Sequence, residues 1–332
     1  MLLKLFNGKR RENTMYWTGR CDGEEADVLR IHQVVKKMTL DELMEQKVEE
    51  KKICFVSFNS EEGIRRNFGR LGAAEGWIHL KKAFANFPVF DPDIHFYDLK
   101  TPIDVVNGDL EAAQYELSMT VSMLKNKNFL VVCLGGGHDI AYGTYNGILK
   151  YAQSKELDPK IGIISFDAHF DMRSYEKGAS SGTMFLQIAD DCEREGRVFD
   201  YNVIGIQKFS NTKRLFDTAK HFGVNYYLAE DISKLNEFNI DPIIKRNDHI
   251  HLTLCTDVFH ITCAPGVSAP QSFGIMPDEA MRLLNIISSH TKDLTIDVAE
   301  ISPKFDFDDR TSRLMANLIY QTILNHFEVS FK

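Results

Sequence analysis

Asp167-Ala168-His169-Phe170-Asp171 sets two carboxylates and an imidazole at alternate positions, directly after the apolar run Ile161-Gly162-Ile163-Ile164-Ser165-Phe166. In a strand, residues spaced by two point to one face. Even a strand that frays after Phe166 leaves three donors near a common point. Carboxylate oxygen and imidazole nitrogen suit hard or borderline divalent cations such as Mn²⁺. The pattern recurs twice. Gly135-Gly136-Gly137-His138-Asp139 follows the apolar run Phe129–Leu134, and Cys255-Thr256-Asp257 follows Ile250–Leu254. Any one of these could be a polar loop. Three apolar runs that each end in ligand-type residues converge naturally in an open parallel sheet, where sites form outside the carboxyl ends of the strands. Gly135–Gly137 is no phosphate cradle: it lacks the Lys-Ser/Thr of a P-loop and the spaced glycines of a dinucleotide fingerprint.

The elements that would carry these residues alternate along the chain. Strands are predicted at 51–58, 94–99, 129–134, 161–166, 198–206, 224–228, 250–254 and 294–298. Helices are predicted at roughly 24–37, from 40, and at 72–86, 109–125, 141–152, 184–195, 278–289 and 310–327. Strands alternating with helices imply right-handed crossovers and a parallel sheet covered on both faces. The expectation is one α/β domain with a sheet of about eight strands, preceded by an arm and helices over residues 1–50 that pack on the same domain. At 332 residues the chain can bury a large core.

Composition narrows the function classes. A hydrophobic content of 44% with 26% charged residues is ordinary for a soluble globular protein, and a net charge of −8 argues against nucleic-acid or anionic-membrane partners. No apolar run is long enough to cross a bilayer, and Met1–Phe6 turns polar too early for a secretory signal. The expected location is the cytoplasm. The six cysteines show no CxxC spacing, and Cys54 and Cys133 lie inside apolar strands as small hydrophobes.

Taken in order, Gly135–Asp139, Asp167–Asp171, Cys255–Asp257, Ala264-Pro265-Gly266 and Glu300 make the chain resemble the ureohydrolase (arginase and agmatinase) superfamily from about Lys51 onward. Glu61–Gly76 and Ser180–Phe185 are most similar to the branch that hydrolyses N-formimidoyl-L-glutamate in histidine breakdown. The resemblance implies the arginase-like fold and a homo-oligomer. It also implies a pair of Mn²⁺ ions bridged by hydroxide and held by His138, Asp167, His169, Asp171, Cys255 and Asp257. Cys255 departs from the pattern, since most of the superfamily has aspartate there. A thiolate is softer and suits other divalent ions better. Cys255 either ligates the pair, leaves one ion weakly held, or is a small buried residue. Its place two residues before Asp257 on one face favours ligation.

The chemistry expected of such a site is attack by the metal-bridging hydroxide on an amidine carbon, with release of L-glutamate and formamide. Glu300, at a strand end, would meet the amidinium. The substrate is a small dicarboxylate, and arginine suits carboxylates. Arg173 is the first candidate, followed by Arg65, Arg66 and Arg70 as a group, with Ser181 and Thr183 as hydroxyl donors. The Ser180–Phe185 loop lacks the histidine that arginases and many agmatinases carry there, which disfavours their reactions. The alternatives are a hydrolase of another guanidino or amidino acid, and a non-catalytic protein on this scaffold with impaired metal binding.

Overall fold

The computed structural model describes residues 16–46, 49–155 and 158–329. The polar turn after Met1–Phe6 lies outside the described residues. Among the described residues ten strands form a single sheet: β1 Lys36–Met38, β2 Lys52–Asn59, β3 His95–Leu99, β4 Ile103–Asp104, β5 Leu130–Leu134, β6 Ile161–Phe166, β7 Asp200–Ile206, β8 Asn225–Leu228, β9 His249–Cys255 and β10 Leu294–Ala299. The order across the sheet is β1-β3-β2-β5-β10-β9-β6-β7-β8, with β4 paired to β2. Every pairing between these strands is parallel. The central strands are buried along their whole length, as expected of a parallel sheet covered on both faces.

Two apolar layers flank the sheet. Alternate residues of one strand feed opposite layers: Leu252 and Leu254 of β9 and Ile296 and Val298 of β10 face one, while Cys133 of β5 and Ala299 of β10 face the other. Cys54 and Cys133 are fully buried and unbridged. Order within the sheet matters most for function. β5, β10, β9 and β6 are consecutive neighbours, so the segments that follow them open side by side at one edge.

The eight expected strands all form in one parallel sheet, and β1 and β4 join them; these are only 3 and 2 residues long and carry no readable periodicity. One expectation is corrected. The helix expected at 24–37 is not formed. Only Ile31–Val34 is helical, and Lys36–Met38 is strand. The cause is tertiary pairing: Ile31 N–H donates to Phe87 O and Val89 N–H to Leu29 O, both at 2.9 Å, and the open edge of β3 takes up β1. Helices at 62–66, 213–221 and 237–245 were not anticipated.

The described part of the arm is anchored by a buried charge pair. Lys81 Nζ donates to Asp98 Oδ1, both side chains being fully buried. Trp17 Nε1–H donates to the other Asp98 oxygen at 2.7 Å. The rings of Tyr16 and Trp77 lie 4.9 and 5.0 Å from Lys81 Nζ. Burial pulls both groups toward neutrality, Lys81 below and Asp98 above its ordinary value. Removing one partner leaves the other charge stranded. Lys81→Met is therefore expected to cost about 3–5 kcal/mol in chemical denaturation, whereas Lys81→Met with Asp98→Leu costs far less. Both tryptophans of the chain, Trp17 and Trp77, report on this region. Equal losses in the single and double variants would contradict the charge argument.

Candidate metal centre

The turn after β5 brings in His138. Gly135 N–H donates to Val298 O at 2.8 Å and Gly137 N–H to Ser60 O at 3.0 Å. A Cβ on Gly136 would stand 1.6 Å from Ser60 O, so only glycine fits this approach. After β6, Asp167 N–H donates to Ile204 O at 3.0 Å, and Asp167 Oδ1 accepts the His169 N–H at 2.7 Å. The chain then turns sharply at Asp171, whose φ is 48°. β9 runs straight into Cys255, and Asp257 follows in a short helical turn. Glu300 follows β10 with φ 67°, its N–H donating to Gly136 O at 2.7 Å. Left-handed backbone at a non-glycine residue is costly, and it occurs here at two residues of one pocket.

These turns gather the donors. His138 Nδ1 lies 2.9 Å from Asp171 Oδ2 and 2.9 Å from Asp167 Oδ2, the second without hydrogen-bond alignment. His169 Nδ1 lies 3.4 Å from Asp167 Oδ1 and 3.1 Å from Asp257 Oδ2. Cys255 Sγ donates to Asp257 Oδ1 at 3.1 Å. Two groups of ligand atoms result, each within 4.8 Å: His138 with Asp167 and Cys255, and Asp167 with His169 and Asp257. Asp167 belongs to both and offers one oxygen to each side.

The electrostatics fit cations. Burial opposes charge on His138 and His169, yet the surrounding carboxylates push both well above their usual range. Asp171 is raised to about 6 by burial and by Asp167. Glu300 is raised by burial and by Asp257. Cys255 is raised by burial, with Asp167 and Asp257 adding to the effect. Three aspartates and a glutamate share this buried pocket, and the compensating charge within the cluster comes from protons held on its two imidazoles. A divalent ion between Asp167 and either histidine would supply it, and oxygen and nitrogen donors suit such an ion.

A cavity of about 140 Å³ opens on this cluster. It is lined by His138, His169, Asp171, Arg173, Ser181, Cys255, Asp257 and Glu300, joined by Ile64, Asn67, Gly69, Ser268 and Ala269. Asn67 and Ser268 were not singled out from sequence. Asn67 lies inside the Glu61–Gly76 stretch, and Ser268 follows the Ala264-Pro265-Gly266 turn.

The remaining candidates do not line this cavity. Arg65 Nε donates to Glu62 at 2.7 Å. Arg66 is held by Glu62, Glu111 and Gly108 O. Arg70 donates to Ser268 O and Val267 O and stacks 4.1 Å over Phe305. Thr183 Oγ1 accepts the Ser180 N–H at 2.9 Å and lies 2.9 Å from Gln187 Oε1. Their hydrogen-bonding capacity is directed to the fold.

The arginase family profile matches residues 51–324. The formimidoylglutamase of Fusobacterium nucleatum is 70% identical over 314 residues, covering 95% of this chain and 99% of that one. That of Clostridium tetani is 39% identical, covering 94% of each chain. Among solved structures, the formimidoylglutamase of Bacillus subtilis superposes with a TM-score of 0.77 at 22% identity, covering 93% of this chain and 95% of that one. Trypanosoma cruzi formiminoglutamase with Mn²⁺ superposes at 0.73 and 21% identity, covering 87% and 98%.

The sharing of Asp167 predicts an asymmetric mutational response. Asp167→Asn is expected to abolish both equivalents of bound Mn²⁺ in equilibrium dialysis, while His169→Ala removes one. Loss of a single equivalent in Asp167→Asn would contradict the shared geometry.

Proposed function

The chain belongs to the arginase family, and on that premise we propose that its pocket hydrolyses the amidine C–N bond of N-formimidoyl-L-glutamate, giving L-glutamate and formamide. The observation that carries this is the pair of donor groups hinged on Asp167, together with the 70% identical relative named formimidoylglutamase. We assign His138, Asp167, His169, Asp171, Cys255 and Asp257 as the ligands of two divalent ions. Mn²⁺ is the favoured ion, in keeping with the solved relative that carries it. When bound, such a pair supplies hydroxide at neutral pH and positive charge opposite the developing negative charge.

The side chains have separate tasks. Glu300 stands at the cavity wall with its carboxylate fixed by the His138 backbone N–H at 3.2 Å. That anchoring lets its free oxygen accept an amidinium N–H and orient the amidine carbon. In the reaction the carbon gains the oxygen of water, its bond to the glutamate nitrogen breaks, and that nitrogen leaves as an amine after taking up a proton. Ser181 is positioned by Asn67, whose amide donates to its hydroxyl at 3.4 Å. Arg173 lies on the wall between the cavity and an adjoining one of about 740 Å³. Arg66, Lys177 and Arg214 also line the larger space, as does Thr183, and no acid is among its described lining residues. A cationic approach of this kind in a chain of net charge −8 supports a dianionic substrate.

Purified protein loaded with Mn²⁺ is expected to release formamide and glutamate from N-formimidoyl-L-glutamate, and little or no urea from arginine or agmatine. Urea as the main product would sink the assignment. Arg173→Ala is expected to lower kcat/KM by about 10–100-fold, chiefly through KM, the loss of a charged hydrogen bond being about 1.5–3 kcal/mol. An unchanged KM would remove Arg173 from substrate binding. Cys255→Asp is expected to shift the metal preference toward Mn²⁺ in competition with Zn²⁺. If the preference stays put and only the melting temperature falls, residue 255 is packing rather than a ligand.

A further inference from the structure

Beneath His138 runs a line of buried polar side chains that the chemistry above does not use. His138 Nε2 lies 2.8 Å from Thr253 Oγ1. Thr253 Oγ1–H donates to Asp297 Oδ1 at 2.5 Å, and His251 Nε2 lies 2.5 Å from Asp297 Oδ2. None of the four residues is more than 1% exposed. Thr253 and Asp297 are register partners on β9 and β10. His251 stands two residues before Thr253, on the same face of the strand.

The proton bookkeeping of this line has one solution. A carboxylate accepts only, and a hydroxyl has a single proton to give. Burial pushes the Asp297 carboxyl up, but His251 and the hydrogen bonds outweigh it and hold the group below its ordinary value. Asp297 therefore takes the Thr253 proton at Oδ1. His251 Nδ1 finds no partner, so Nε2–H is the donor it offers to Oδ2. With its own proton committed, Thr253 can only accept from His138. The His138 Nε2–H is thus committed to Thr253, and Nδ1 is the nitrogen that faces Asp167 and Asp171. With Nε2 so occupied, Nδ1 is the ring position left to meet a cation.

We propose that Thr253, held by Asp297 and His251, is the positioning residue that accepts the His138 Nε2–H and so aims Nδ1 at a divalent ion. The inference rests on the reading of His138 as a metal ligand. Metal-binding histidines characteristically donate their other N–H to a fixed acceptor, and disturbing that acceptor weakens the metal by about 10–100-fold. In this chain the carboxylate acts through an intervening hydroxyl, which makes Thr253 the testable link.

The probe is Mn²⁺ alone, added to metal-stripped protein and read by equilibrium dialysis, with melting temperatures taken before and after addition. Thr253→Val keeps the side-chain shape and removes the acceptor. One Mn²⁺ equivalent is expected to bind about 10–100-fold more weakly, and Thr253→Ser to bind within a few-fold of the parent, about threefold at most on the same scale. The rise in Tm on adding Mn²⁺ shrinks accordingly. A merely structural role gives the reverse: a lower Tm for the metal-free variant with unchanged Mn²⁺ affinity, and that result overturns the proposal. If Thr253→Val does not fold, Asp297→Asn decides. It keeps the shape and removes the charge that draws the Thr253 proton, so a loss of about tenfold in affinity supports the proposal, and parent-like affinity overturns it. Parent protein that binds no divalent ion overturns the metal-centre reading itself, whereas a parent that binds beside unaffected variants overturns this inference alone.

Discussion

Asp167 has its two oxygens turned toward two different histidines, His138 on one side and His169 on the other. A fully buried carboxylate in that position cannot be satisfied by either ring alone. It sits among Asp171, Asp257 and Glu300, and like charges in a low-dielectric pocket repel strongly. The arrangement is stable as a set only when positive charge enters between its members. In the metal-free molecule the imidazoles serve that purpose by holding protons well above their usual range. Divalent ions would displace those protons, so metal loading and proton release are two sides of one charge balance.

The fold meets this constraint through the order of its strands. His138, Glu300, Cys255 with Asp257, and Asp167 with Asp171 follow β5, β10, β9 and β6, which are neighbours in the sheet. No long loop is needed to bring them together. Instead the backbone turns abruptly where each strand ends. Asp171 and Glu300 both adopt left-handed conformations, and Gly136 lets the β5 turn press against Ser60. The strain is carried by a sheet buried on both faces, which has rigidity to spare.

Much of this was readable from residue types alone. Ligand-type residues directly after apolar runs mark His138, Asp167, His169, Asp171, Cys255 and Asp257, because the signal is local and repeats. The loop arginines show the limit. Glu62 precedes Arg65 by three residues and Arg66 by four, which is helical spacing for ion pairs. Read as loop, the segment 62–66 leaves those arginines free; as the helix it forms, it spends them on Glu62. Edge strands of two or three residues and the capture of residues 29–38 by distant backbone have no periodic trace. Asp297 did leave a signal: an acid inside the apolar run Leu294–Val298 has to find a partner. Which partner depends on the β9–β10 register, and that exists only in three dimensions.

Cys255 makes sense within the same charge balance. A carboxylate at that position would join Asp167, Asp171, Asp257 and Glu300 in one pocket, adding a charge that must be neutralised even before any ion arrives. A thiol stays protonated among those acids, as the donation from Sγ to Asp257 requires. It becomes anionic only when a cation is close enough to draw the proton off. On the proposed assignment the residue would be a conditional ligand, neutral in the empty pocket and charged in the filled one. That would lower the cost of the metal-free state and couple tight binding to ions that hold sulfur well. The preference of the centre among divalent metals would then be set by a residue whose charge the metal itself creates.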